Sequence, residues 1–194
     1  MATHSLRAGV LLFPQVEVLD FAGPFEVLGR ATDETGLPCF SVLTLGPTPE
    51  VLCVDGLVVR PHFTLEAAPE LDILVVPGGP GAREPQRLEP VLSFIKARAA
   101  QVQVMASVCT GSYWLARAGL LDGQSATTHT LRLDDFAAAF PSIKVVRQKI
   151  VEQERIITAG GVASGVDLGL HLVERFFGEK ARRREAVRLD GPWK

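Results

Sequence analysis

The chain has 194 residues, 47% of them apolar and 22% charged, with a formal net charge of −2. That size and makeup fit one compact domain, residues 1–194, with a substantial core, and they exclude a second full domain. No run is long enough to span a bilayer, and the opening Met-Ala-Thr-His-Ser-Leu-Arg leads straight into a strand-like segment. The expectation is therefore a cytoplasmic protein with no signal peptide and no membrane contact.

In chain order, apolar runs of strand length fall at 8–13, 40–45, 71–76, 102–108 and 156–159. Helical periods lie between them, at 24–32, 84–100, 110–118, 131–140 and 163–177. Two smaller strand pairs are read within 52–59 and 145–157, the second turning around Gln153. Unbroken runs such as Ile73-Leu74-Val75-Val76 suit strands covered on both faces, so a mostly parallel sheet in a three-layer α/β/α sandwich is predicted. The basic cluster of Lys180, Arg182, Arg183 and Arg184 reads as the solvated end of a helix, and no nucleic-acid partner is expected.

Three cysteines, Cys39, Cys53 and Cys109, are an odd number without C-x-x-C spacing, which argues against a disulfide framework or a cysteine-rich metal site. The histidines at 4, 62, 129 and 171 show no ligand spacing either, so no metal is expected. Cys39 and Cys53 belong to apolar strand segments and read as small buried hydrophobes.

Cys109 is different. It ends an apolar run and precedes a helical pattern, in Ser107-Val108-Cys109-Thr110-Gly111. Small residues on either side of a single nucleophile let a strand turn sharply into a helix, the outline of a nucleophile elbow. A thiol at a helix N-terminus is expected to favour the thiolate.

In a parallel sheet, ligands collect beyond the carboxyl ends of the strands. Asp20, Pro77-Gly78-Gly79-Pro80-Gly81, Cys109 and Gly160-Gly161 all occupy such positions. Gly78, Gly79 and Gly81 could present N–H groups beside the thiol and, with the Thr110 N–H, form an oxyanion hole; a plain strand-to-helix turn is the competing reading. Asp20 either caps a helix whose first turn holds Pro24, or faces Cys109 and shares a proton with it. Glu26, one to two turns further on, receives no catalytic role. His129 is either the base of a Cys-His pair or a structural residue, and Asp167 either orients His129 or neutralises a helix start.

These segments together resemble the ThiJ/PfpI superfamily over nearly the whole length. Leu19-Asp20-Phe21-Ala22-Gly23-Pro24-Phe25-Glu26-Val27, Ser107-Val108-Cys109-Thr110-Gly111, Ala126-Thr127-Thr128-His129 and Ala159-Gly160-Gly161-Val162-Ala163-Ser164-Gly165-Val166-Asp167 look most like its isonitrile hydratase branch. They also look like the effector domains of AraC-type regulators, which carry a helix-turn-helix region that is not expected here. The resemblance implies a flavodoxin-like fold, Cys109 as nucleophile, Asp20 as its acidic partner, and Thr110 positioning substrate or water.

It further implies a homodimer, a small electrophilic substrate, and a hydro-lyase reaction that needs no cofactor: an isocyanide becomes an N-substituted formamide through a thioimidate. A glyoxalase-like enzyme acting on 2-oxoaldehydes and a non-enzymatic thiol sensor are the alternatives. Tyr113, Trp114 and Thr130 depart from the family pattern and point to a differently shaped pocket. Thr110 stands where the protease-like branch has histidine, which counts against a peptidase.

Overall fold

The computed structural model describes residues 5–84 and 88–193. In chain order the elements are β1 (Leu6–Leu11), α1 (Val18–Arg30), β2 (Phe40–Gly46), β3 (Val51–Leu52), β4 (Val58–Val59), β5 (Phe63–Thr64), β6 (Ile73–Val76), α2 (Glu89–Ala99) and β7 (Val104–Val108). There follow α3 (Ser112–Arg117), β8 (Ser125–Ala126), α4 (Leu133–Ala139), β9 (Lys144–Val145), β10 (Ile150–Gln153), β11 (Ile156–Ala159) and α5 (Ser164–Leu189).

Seven strands form the main sheet in the order β10-β11-β7-β6-β1-β2-β5. Every pairing is parallel except β10 with β11, the hairpin foreseen around Gln153. All residues of β6 and β7 are buried, as strands covered on both faces require. From β1 the chain crosses to β2 in one direction, and from β6 it crosses to β7 in the other. Right-handed crossovers in opposite directions place α1 and α2 on opposite faces, and they open a crevice between the carboxyl ends of β1 and β6. The three-layer reading of the sequence therefore holds.

Helix boundaries differ from the sequence reading in instructive ways. The first helix begins at Val18 rather than at residue 24, so Pro24 lies inside it. Proline there lacks the N–H that would bond the Asp20 carbonyl. That carbonyl faces α5 instead: a Cβ placed on Gly165 would lie 3.5 Å from it and 3.0 Å from Pro24 Cδ. The two helices thus approach backbone to backbone.

The period at 84–100 is narrowed to α2, Glu89–Ala99, with a separate short turn at Pro80–Arg83 before it; its stretch 85–87 lies outside the described residues. Similar turns, Cys109–Gly111 and Thr130–Arg132, replace the first residues of the periods at 110–118 and 131–140. The final helix breaks at Gly178, one residue past the expected end, and then continues to Leu189. The basic cluster sits on that continuation and is not simply solvated: Lys180 pairs with Glu34, Arg182 with Glu174 and Arg183 with Glu179. Among the described residues no helix is long and apolar enough to cross a membrane.

Candidate active site

Cys109 follows β7 directly and adopts φ 55°, in the left-handed region that a non-glycine residue enters at a cost of about 1–2 kcal/mol. Two hydroxyls hold it there. Thr128 Oγ1 and Ser112 Oγ both donate to the Cys109 carbonyl, at 3.1 and 3.3 Å. The strained backbone at Cys109 is thus held from two sides. The elbow also depends on Gly111, where a Cβ would stand 2.1 Å from the Val76 carbonyl oxygen.

Asp20 sits in the first turn of α1 and is fully buried. It is not the helix cap, since that position belongs to Glu17. Its Oδ2 accepts the Gly78 N–H at 2.9 Å, and its carboxyl lies against the Cys109 thiol. Oδ1 has no conventional hydrogen-bond partner among the described residues.

Burial raises the carboxyl from its ordinary 3.8 to about 7, against the opposing pull of the Gly78 N–H and the thiol; the charge of Glu17 adds to the rise. Burial, and then the charge of Asp20, push the Cys109 thiol up to about 12, while the Thr110 N–H pulls the other way. The sequence expectation of a thiolate favoured by a helix start is therefore corrected. Desolvation and a neighbouring carboxylate outweigh the short turn beneath the sulfur. Between these two limits the pair holds a single proton.

The glycine loop also departs from the sequence reading. Gly78 donates to Asp20, Gly79 donates to Thr110 Oγ1 at 2.9 Å, and Gly81 donates to the Gln15 carbonyl at 3.2 Å. None of these N–H groups is left for an oxyanion, so Gly78 and Gly79 instead fix the carboxyl and the threonine around the sulfur. Gly78 must be glycine, since a Cβ there would come within 2.6 Å of Thr110 N and 2.8 Å of Asp20 Oδ2. The Thr110 N–H remains the donor aimed at the sulfur.

His129 shares a cleft with Cys109 and Thr110. Its Nδ1 accepts the Leu131 N–H at 3.2 Å, capping the Thr130–Arg132 turn. This contact uses Nδ1 as a hydrogen-bond acceptor, so that nitrogen is engaged by the turn and not by the thiol. Asp167 does not orient it: Asp167 pairs with Lys149 at 3.2 Å. Glu26 turns away to Arg188 at 2.9 Å.

Tyr113 and Trp114 do not line the cleft. Trp114 is fully buried edge-on against Phe13, and Tyr113 packs on Phe136 and Phe140. Thr130 and Gly160-Gly161 border a neighbouring hollow. Cys39 and Cys53 are buried and unpaired, as expected.

The cleft has a volume of about 210 Å³. Beside Cys109, Thr110, Gly79 and His129, its walls include Glu17, Arg83, Arg132 and Val162, none singled out from the sequence. Arginines on turns carry no sequence signal among 20 basic residues. Ser112, three residues after the nucleophile, could have been recognised as a hydroxyl able to bond back to the elbow carbonyl.

The DJ-1/PfpI family model matches residues 6–175. Isonitrile hydratase of Pseudomonas putida is 38% identical over 96% of this chain and 78% of its own length. The transcriptional regulator GbdR of Pseudomonas aeruginosa is 33% identical over 89% of this chain, which spans only 47% of the regulator. In structure, a ThiJ/PfpI family protein from Pseudomonas syringae superposes with a TM-score of 0.86 at 27% identity, covering 97% of this chain and 76% of the other. The elbow cysteine, its carboxyl neighbour and the glycine loop thus sit in a framework shared with these proteins, and the chain belongs to the DJ-1/PfpI family.

Proposed function

We propose that the protein is a cysteine-dependent hydratase that converts an isocyanide and water into an N-substituted formamide. The observation that carries this reading is the buried Asp20 carboxyl, held on one oxygen by Gly78 and set against the Cys109 thiol. The likeness to isonitrile hydratase supports the same reaction. Asp20 takes the thiol proton as sulfur bonds to the isocyanide carbon. It then gives that proton to the same carbon, leaving a thioimidate, R–N=CH–S–Cys109, and a free carboxylate. Water adds to the thioimidate carbon, one of its protons passing to nitrogen. As the C–S bond breaks, the hydroxyl proton returns to Asp20, the formamide leaves, and the pair again holds one proton. Thr110 stabilises charge on sulfur through its N–H. The cycle needs no cofactor.

The same reading takes the protein as a cytoplasmic homodimer. Exposed Leu19, Leu52, Leu57 and Val58 support it, because Gln15 and Val16, just before α1, bond the β3–β4 region at Leu52 and Val54 and so bring these side chains to one side of the molecule. A second reading, a ligand sensor without turnover, is favoured by the likeness to the regulator GbdR. A thiol pushed up to about 12 suits a peroxide sensor poorly, since oxidation selects exposed, low-pKa thiolates.

The test is steady-state conversion of an alkyl isocyanide to its formamide, run with wild type and Cys109→Ala. Turnover that is lost in a folded mutant is the expected result. Equal activity in the mutant removes the nucleophile, and no turnover by folded wild type moves the reading to a 2-oxoaldehyde enzyme or a sensor.

A further inference from the structure

The lining of the cleft that holds Cys109 includes two arginines, Arg83 and Arg132, on the turns that follow β6 and β8. We propose that they form a carboxylate-binding subsite, so that the electrophile attacked by Cys109 bears an anionic group; this rests on the reading of Cys109 as a reactive nucleophile. Arg83 makes no ion pair and no side-chain hydrogen bond among the described residues, whereas Arg60, Arg175 and Arg183 each meet a carboxylate. Arg132 uses one nitrogen, Nη1, on Asp135 at 3.0 Å. It makes no other side-chain hydrogen bond among the described residues.

Both arginines stand on fixed backbone. The Pro80–Arg83 turn is tied by Arg117 Nη1 to the Ala82 carbonyl at 2.6 Å and by the Ala82 N–H to Gly79 at 3.1 Å. The Arg132 N–H bonds the His129 carbonyl at 2.7 Å, closing the turn that the His129 ring caps. Two planar forks on anchored turns suit a carboxylate, which each can meet with paired donors. Glu17, the one acidic side chain on the lining, belongs to the α1 side, where it disfavours an anion and leaves the arginine side as the place to hold it. A cleft of about 210 Å³ admits a carboxylate and a reactive carbon with little between them.

Iodoacetate and iodoacetamide are nearly the same size, and each transfers its carbon to sulfur with loss of iodide, but only the first is an anion. Alkylation rates at Cys109, read by peptide mass spectrometry, give an acetate-to-acetamide ratio for wild type and for the Arg83→Gln/Arg132→Gln double variant. The ratio is expected to fall about fivefold or more in the double variant, and to fall in wild type as salt is raised. An unchanged ratio overturns the proposal. Propionate titrated into 15N-labelled protein reads the subsite without sulfur chemistry. Saturable shifts of the Arg83 and Arg132 Nε–H signals are expected, and their absence overturns the subsite. Should Cys109 resist both reagents, the nucleophile reading fails and the propionate titration alone decides the subsite.

Discussion

Gly78 and Asp20 are joined by one hydrogen bond of 2.9 Å, from the loop after β6 to the first turn of α1, and it holds the Asp20 carboxyl against the Cys109 thiol. Asp20→Asn keeps the shape and can keep the Gly78 contact through its amide oxygen, but it cannot carry a proton. Isocyanide turnover is expected to fall by about 10²–10⁴-fold, the usual span for losing a positioned acid-base group. Alkylation of Cys109 by iodoacetamide at pH 9 is expected to be at least as fast as in wild type, because the neighbouring charge that raises the thiol is gone. Slow alkylation with normal turnover would reverse the assignment.

The same substitution has a stability signature. The Asp20 carboxyl titrates near 7 in the fold against its ordinary 3.8, so the native state binds the extra proton. The stability it contributes is complete below about pH 4 and is lost as pH rises through about 7. Asn has no charge to bury. The melting temperature of Asp20→Asn should therefore exceed that of wild type at pH 8, by a margin on the order of a few kcal/mol in stability, with the gap closing toward pH 4. A constant gap across this range would mean that Asp20 does not titrate as described.

Turnover in wild type should follow the same group. The active pair holds one proton, and acidification adds a second, so kcat/KM is expected to fall below about pH 7. Glu17 is one of the causes that raise Asp20, through its charge. Glu17→Gln is expected to move this acid limb to lower pH without removing it, while Asp20→Asn abolishes it. Rate profiles between pH 5 and 9 for the three proteins decide the matter, and an acid limb that Glu17→Gln leaves in place would separate Glu17 from the pair.

Much of this arrangement was legible in the sequence because Cys109 and the glycine loop directly follow strands. The apolar run Ile73–Val76 and the mostly apolar run ending at Val108 marked the sheet centre, and the glycine loop and Cys109 follow those strands without a spacer. The start of α1 was hidden because Pro24 reads as a first-turn residue. Its missing hydrogen bond is tolerated where Gly23 and Gly165 let α5 pack closely. The thiol's environment was hidden too. Helix position alone points to a thiolate, and only the folded chain shows Cys109 at 6% exposure beside a buried carboxyl. The cleft arginines and Glu17 had no period or spacing to mark them, since residues on turns obey neither.

Thr110 and the Gly79 backbone exchange two hydrogen bonds: the Gly79 N–H reaches Thr110 Oγ1 at 2.9 Å, and the hydroxyl returns to the Gly79 carbonyl at 3.3 Å. Thr110→Val keeps the shape and strands a buried N–H, which costs about 1–3 kcal/mol. Denaturant unfolding should show that loss, together with a lower kcat as the loop over Asp20 loosens. Thr110→Ser should restore both. Full activity in the valine variant would reduce Thr110 to a backbone N–H.

His129 separates a structural role from a chemical one. Its Nδ1 caps the Thr130–Arg132 turn, and the residue also lines the cleft beside Cys109. Asn at 129 can accept the Leu131 N–H with its side-chain oxygen but is too short to place a donor where Nε2 lies. His129→Asn is therefore expected to unfold within about 0.5 kcal/mol of wild type, whereas His129→Ala, with no cap, loses about 1 kcal/mol. Isocyanide turnover should fall in both, by about tenfold or more, as expected when a donor to a developing charge is lost. Normal kinetics in His129→Asn beside a destabilised His129→Ala would make the histidine a turn cap alone, leaving the Thr110 N–H as the donor to the reacting atoms.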